Sequence, residues 1–337
     1  VRSLKALALA ALLAVVVQTA TPRASLPEDT TATPAAPASK SPAAVVDDKG
    51  FDSLTGDRIK AHIDKLTSDE FEGRGAGSEG GMLARDFMER AFRNLGLKEA
   101  GTEGFRQPFR TKGRGRSKST DLDLCNVIGV LEGSDPELKK QYVVIGAHYD
   151  HLGRRNGSIY PGADDNASGS AALIEVARAF TLGEHPKRSL LFIAFDGEEI
   201  GLLGSRQFVK SPTVKDEAIV AMLNMDMVSR GPDGDLWLSG ISESSAMKAA
   251  VEAAAPLAEL TLHFEHDREW RQSSDHGPFA DAGIPFLYFG VPDHEDYHKP
   301  TDTADKVNAT LLQRAARVVY LTAKTVGNAD SPPEFGE

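Results

Sequence analysis

Five acidic and histidine motifs punctuate the sequence: His148-Tyr149-Asp150, Asp164-Asp165-Asn166, Glu198-Glu199, Asp226 and His298. Each stands where a run that reads as a strand gives way to a loop or helix. Carboxylates and imidazoles far apart in the chain would therefore converge on one edge of a sheet. Side chains of these types ligate hydrolytic metal centres, in which a carboxylate shared by two ions holds their spacing and a further carboxylate moves protons. The chemistry that this set would do is metal-assisted hydrolysis.

Taken singly, each motif has a plainer reading. His148 and Asp150, two residues apart at a strand end, can point the same way so that the acid orients the imidazole, but His-x-Asp also fits an ordinary polar loop. Asp164 and Asp165 precede a helix, where they would serve as a cap, although capping needs only one acid. Adjacent glutamates are commonly solvent-facing, yet Glu198-Glu199 follow a hydrophobic strand directly. Asp226 closes an apolar run that has no other reason to carry a charge into its buried end. His298 lies in the polar stretch Asp296-Tyr297-His298-Lys299-Pro300-Thr301-Asp302. The recurrence of all five in order, at strand ends, favours one common site over five separate explanations.

The elements that must position them follow from the apolar periods. Residues 57–66 and 80–95 read as amphipathic helices, the second ending at Gly96, a residue suited to a helix C-terminus. Residues 126–131 and 142–147 read as strands, 167–182 as a helix, 189–195 as a buried strand and 202–210 as a short helix. An apolar strand at 218–225 is followed by a turn at 231–235, a short strand, a helix at 244–255, a strand at 284–289 and a closing helix at 311–326. Strands alternating with helices imply an α/β fold, a mostly parallel sheet covered on both faces. In such sheets the ligand site lies beyond the carboxyl ends of the strands.

Three runs carry a family resemblance. They are Gly146-Ala147-His148-Tyr149-Asp150-His151-Leu152-Gly153, Gly162-Ala163-Asp164-Asp165-Asn166-Ala167-Ser168-Gly169, and Phe195-Asp196-Gly197-Glu198-Glu199-Ile200-Gly201-Leu202-Leu203-Gly204-Ser205. Together they resemble metallopeptidase family 28, which holds secreted bacterial aminopeptidases, glutamate carboxypeptidase II and glutaminyl cyclases. The similarity spans residues 54–326 and begins with Leu66-Thr67-Ser68-Asp69-Glu70-Phe71-Glu72-Gly73-Arg74. It implies a three-layer α/β/α sandwich around a central, mostly parallel mixed sheet. It also implies two zinc ions, one held by His148 and Asp226 and the other by Glu199 and His298, with Asp165 bridging them. Glu198 would be the general base, Asp150 the partner of His148, and Tyr297 a hydrogen-bond donor to the reaction intermediate. A cis peptide after Asp165 is implied as well. Two zincs about 3.5–4 Å apart would polarise the scissile carbonyl and acidify a shared water, whose proton Glu198 would pass to the leaving amine.

Residues 96–125 are too few for the protease-associated domain that some relatives insert there, and no large dimerisation domain follows His298. Both features favour the small aminopeptidase type. A dipeptidase or carboxypeptidase would need a basic residue for the substrate carboxylate, for which Arg230, Arg268 and Arg271 are candidates. A glutaminyl cyclase would use one zinc, and a non-catalytic module would have lost ligands that are all present here. Residues 265–276 and 279–289 are expected to line the specificity pocket.

Composition bounds the rest. The 337 residues are 41% hydrophobic and 26% charged, ordinary for a folded globular protein. A net charge of −11 argues against nucleic-acid partners, because no basic stripe compensates it; the basic residues 112–118 read as a solvated loop. Arg2 and Lys5 precede an apolar run at 6–17 that is shorter than the roughly 20 residues of a membrane span. Residues 1–24 therefore read as an export signal, with a retained anchor as the alternative, and periplasmic or extracellular residence follows. The Thr-, Ala- and Pro-rich residues 25–50 read as a disordered linker, 51–328 as one catalytic domain and 329–337 as a flexible tail. Peptides are the expected partners, with no stable membrane contact unless the N-terminal segment is retained, and a monomer is expected. The single cysteine, Cys125, allows no intramolecular disulfide.

Overall fold

The computed structural model describes residues 48–112, 121–215 and 218–336. The export segment, almost all of the linker, and the basic loop beyond Lys112 lie outside the described residues.

The chain opens with helices α1 (Lys49–Ser53), α2 (Gly56–Leu66) and α3 (Glu79–Asn94). Strands β1 (Lys98–Glu99), β2 (Arg106–Lys112), β3 (Asp121–Leu131), β4 (Tyr142–His148), β5 (Arg154–Arg155) and β6 (Ser158–Ile159) follow, then α4 (Gly169–Leu182), β7 (Ser189–Phe195), α5 (Leu203–Lys210) and β8 (Ile219–Met225). The last part holds β9 (Asp235–Ser239), α6 (Ser245–Ala254), β10 (Thr261–His263), α7 (His276–Asp281), β11 (Phe286–Gly290) and α8 (Ala309–Asn328).

One sheet runs in the order β1-β3-β7-β4-β8-β11-β9-β10, with β2 also paired to β3. Its centre, β7-β4-β8-β11, is parallel, and β3 and β9 join it antiparallel on either side. The middle strands are buried on both faces, which is why they read as continuous apolar runs. Alternate residues feed two cores: Leu190, Phe192 and Ala194 of β7 pack toward α4, α6 and α8, whereas Leu191, Ile193 and Phe195 pack toward Phe208 of α5 and Phe279 of α7. The result is a helix–sheet–helix sandwich around a mixed sheet that is parallel at its centre, with four parallel and four antiparallel strand pairs among the described residues where the sequence reading expects a mostly parallel one. Because β4, β7, β8 and β11 run the same way, their carboxyl ends lie along one edge.

Several boundaries differ from the sequence reading. Residues 96–125 supply β1, β2 and the first part of β3, with β1 and β2 both pairing antiparallel with β3. The helix expected from residue 167 starts at Gly169, because Asn166 Oδ1 accepts the Gly169 amide hydrogen at 2.9 Å and 163–168 form an irregular turn. The segment after α8, expected as a flexible tail, is tied to the body: Phe335 packs against the second core and Gly336 N–H donates to the Glu243 carbonyl at 2.6 Å. At the other end Asp48 caps α1 and accepts the Tyr320 hydroxyl of α8 at 2.9 Å, so the folded body includes residues ahead of Phe51.

Candidate metal centre

His148 is the last residue of β4 and Asp226 the first after β8, so parallel neighbours deliver them side by side. His148 Nε2 lies 3.2 Å from Asp226 Oδ1 and 3.6 Å from Asp165 Oδ1. The other oxygen of Asp165, Oδ2, is 3.0 Å from His298 Nε2, which in turn is 3.2 Å from Glu199 Oε2. Asp165 thus stands between two clusters. Glu198 Oε2 approaches His148 at 4.0 Å without joining either. The five residues expected as ligands are brought together, and the peptide bond from Asp165 to Asn166 is cis.

A sixth residue shares the second cluster. His151 was part of the His148 run but carried no role in the sequence reading. Its donor atom lies with those of Asp165 and Glu199, all within 4.8 Å of one another, as do the donors of His148, Asp165 and Asp226. The signal that could have found it is a histidine three residues after the first one, on the same turn.

Asp150 departs from expectation in the atom it uses. His148 Nδ1 is 3.1 Å from the Asp150 backbone carbonyl and 3.8 Å from its carboxylate. The carboxylate instead accepts the amide hydrogens of Glu198 at 3.1 Å and Glu199 at 3.4 Å. The turn after β7 leaves these two donors facing the end of β4, so Asp150 fixes the Glu198-Glu199 pair as well as facing His148.

Asp164 is not a helix cap either. Its Oδ1 accepts from the Ser229 amide and hydroxyl at 2.8 and 2.7 Å, which ties the turn before α4 to the segment after β8. Asp302 is fully buried and accepts the amide hydrogens of Asp164 and Asp165 at 3.1–3.2 Å. It belongs to the loop that carries Tyr297 and His298, whose rings stack at 3.9 Å. Removing it with Asp302→Ala would leave two buried amide donors without an acceptor. A stability loss of roughly 3 kcal/mol is expected, read from the urea unfolding midpoint.

Charge explains what such a cluster needs. Burial pushes the carboxyls of Asp150, Asp165 and Glu198 above their usual range, and neighbouring acids add to it. Burial acts the same way on Glu199, but the contacts with His151 and His298 outweigh it and hold that carboxyl low. Hydrogen bonding to Asp165 and Glu199 raises His298 to about 10. Converging buried carboxylates repel one another unless cations compensate them. The buried Nδ1 of His151 and Oε1 of Glu199 also lack hydrogen-bond partners. Imidazoles, carboxylates and orphaned donor atoms facing inward fit divalent zinc.

A sequence model described as Peptidase family M28 matches residues 126–323, which include every residue of both clusters. The chain belongs to peptidase family M28. A probable zinc metalloprotease of Pyrenophora tritici-repentis is 29% identical over 311 residues, covering 77% of this chain and 69% of that protein. A probable leucine aminopeptidase of Arthroderma otae is 33% identical over 196 residues, 55% of this chain and 54% of its own length. The chain thus spans about half to two thirds of these family members. In fold, it is similar to an aminopeptidase from Aneurinibacillus sp. strain AM-1, with a TM-score of 0.68, 19% identity and coverage of 82% of this chain and 94% of that one. A glutaminyl cyclase of Fimbriiglobus ruber matches as well, at a TM-score of 0.66 and 20% identity over 81% and 95% of the two chains. An aminopeptidase and a glutaminyl cyclase therefore share this fold, which by itself does not separate the two activities.

Proposed function

We propose that this M28 chain is a two-zinc aminopeptidase that hydrolyses the first peptide bond of substrates with a free N-terminus. The observation that carries this reading is Asp165, with Oδ1 toward His148 and Asp226 and Oδ2 toward His298 and Glu199. His148 and Asp226 would hold one ion, Glu199 and His298 the other, and Asp165 both. Bound there, the pair would polarise the scissile carbonyl and make water acidic enough to attack near neutral pH.

The remaining work falls to side chains of the protein. Glu198, held through its amide by Asp150 and left out of both clusters, takes a proton from the attacking water and passes it to the leaving amine nitrogen. Tyr297, stacked on His298, donates its phenolic hydrogen to the carbonyl oxygen as that atom gains charge. The acidic surroundings favour the ammonium group of a peptide N-terminus. Two of the three arginines that a carboxypeptidase could use are already committed to acids. Arg230 is paired with Asp296 at 2.9 Å, Arg271 with Glu243 at 2.9 Å, and Arg268 is exposed.

Amino acid p-nitroanilides with free and acetylated amines, assayed beside a zinc count per chain, test the proposal. Two zincs and cleavage of the free amines alone are expected. Full activity with a single zinc, together with conversion of N-terminal glutamine to pyroglutamate, would move the chain to the cyclase branch. Release of C-terminal residues from acetylated peptides would make it a carboxypeptidase.

A further inference from the structure

We propose that His151 is a further ligand of the second ion, binding through Nδ1; the inference rests on the two-zinc reading above. His151 is buried, with a side chain that is 0% exposed, and its Nδ1 lies 2.6 Å from Glu199 Oε1 and 3.7 Å from Asp165 Oδ2. Such a short N···O approach normally means a hydrogen bond. Here the two atoms do not point along one: neither His151 Nδ1 nor Glu199 Oε1 has a hydrogen-bond partner. Two donor atoms that crowd together while aiming past each other are arranged as neighbouring ligands on a common cation. The opposite oxygen of the same glutamate, Oε2, lies against His298 Nε2. Glu199 is thus flanked by an imidazole on each side, and the rings of His151 and His298 meet edge-on with centroids 5.8 Å apart.

The backbone commits His151 to this direction. Its amide hydrogen donates to the Arg74 carbonyl at 3.1 Å. Its ring packs against Gly162, where an added Cβ would come within 2.4–2.5 Å of ring carbons and 2.1 Å of the Asp165 carbonyl oxygen. Gly162 also has φ +57°, which disfavours a side chain there. The second ion would then have four protein ligands, His151, Asp165, Glu199 and His298, against three for the first.

The test uses the zinc-loaded protein and the cobalt-substituted protein, with His151→Ala and His151→Gln as variants. Stepwise zinc titration against a competing chelator gives two affinities, and X-ray absorption at the zinc edge counts imidazoles. The wild type should show three imidazoles per two ions. Both variants should show two, weaken one binding step by more than about 10²-fold, the upper end of the usual cost of losing an outer partner, and leave the other step within twofold. The visible spectrum of cobalt in the weakened site should change as well. Two imidazoles in the wild type would overturn the ligand role, whether or not affinity falls in the variants. So would equal weakening of both steps, which is the mark of a general structural defect. A wild type that takes up one ion only would sink the two-zinc reading itself, and this inference with it.

Discussion

Glu198→Gln should keep the fold and both metal clusters while lowering kcat by about 10²-fold or more, the usual worth of a positioned general base. Glutamine matches glutamate in shape but cannot take a proton from water. Glu198 is available for that role because its carboxylate takes part in no hydrogen bond among the described residues. Its nearest cluster contact is His148 Nε2 at 4.0 Å, and its side chain is 14% exposed. Glu199, one residue on, is the opposite case: Oε1 lies at His151 and Oε2 at His298, and its side chain is 4% exposed. Glu199→Gln should therefore lose an ion first and activity as a consequence. Zinc content and kcat measured on both variants decide the matter. A Glu198→Gln protein that lost zinc beside a zinc-replete Glu199→Gln protein would reverse the assignment of the pair.

What was legible in the sequence follows from where the determining contacts lie. Strands β4, β7 and β8 are buried on both faces, so their apolar runs announce them, and the residue just past each run is placed by the strand alone. His148 and Asp226 are legible for that reason, whereas Glu198 stands three residues past β7 and is placed by the turn through Asp196 and Gly197. Strand β2 is not, because Arg106–Lys112 is polar, carries Pro108 and exists through its pairing with β3. Helix α7 hides behind Gly277 and Pro278, which read as breakers, although proline is tolerated in a first turn. The Asp150 spacing located the residue beside His148 but not the atom it would use, since the amide donors of the turn at Glu198 come from another part of the chain. Asp302 and His151 were quoted within motifs without a role for the same reason: what each one touches is fixed by the fold.

Arg74 is the case furthest from any local signal. It closes the run Leu66–Arg74 that carries part of the resemblance, without a role there, yet Arg74 is completely buried. It donates to the carbonyls of Tyr149 at 2.9 Å, Leu66 at 3.0 Å, Pro161 at 2.6 Å and Gly162 at 2.9 Å. Those carbonyls belong to the end of α2, the stretch from His148 to His151 and the approach to Asp165, so one guanidinium fastens together the segments that carry His148, His151 and Asp165. Burial lowers its pKa to about 10, with Asp165, Asp302, Asp150 and Glu199 opposing the shift, so it stays charged at neutral pH. Arg74→Met would fill much of the same volume and satisfy none of the carbonyls. With about 1–3 kcal/mol lost for each buried group left unpaired, a destabilisation of about 4 kcal/mol or more is expected. That is a large part of the roughly 5–15 kcal/mol that holds a domain folded. Arg74→Lys keeps the charge but not the planar fork, and should recover only part of the loss. Urea midpoints of the three proteins would show the order Arg, Lys, Met. Equal midpoints for Arg74 and Arg74→Met would mean that the four carbonyls find other donors and that the two clusters are held without this clamp.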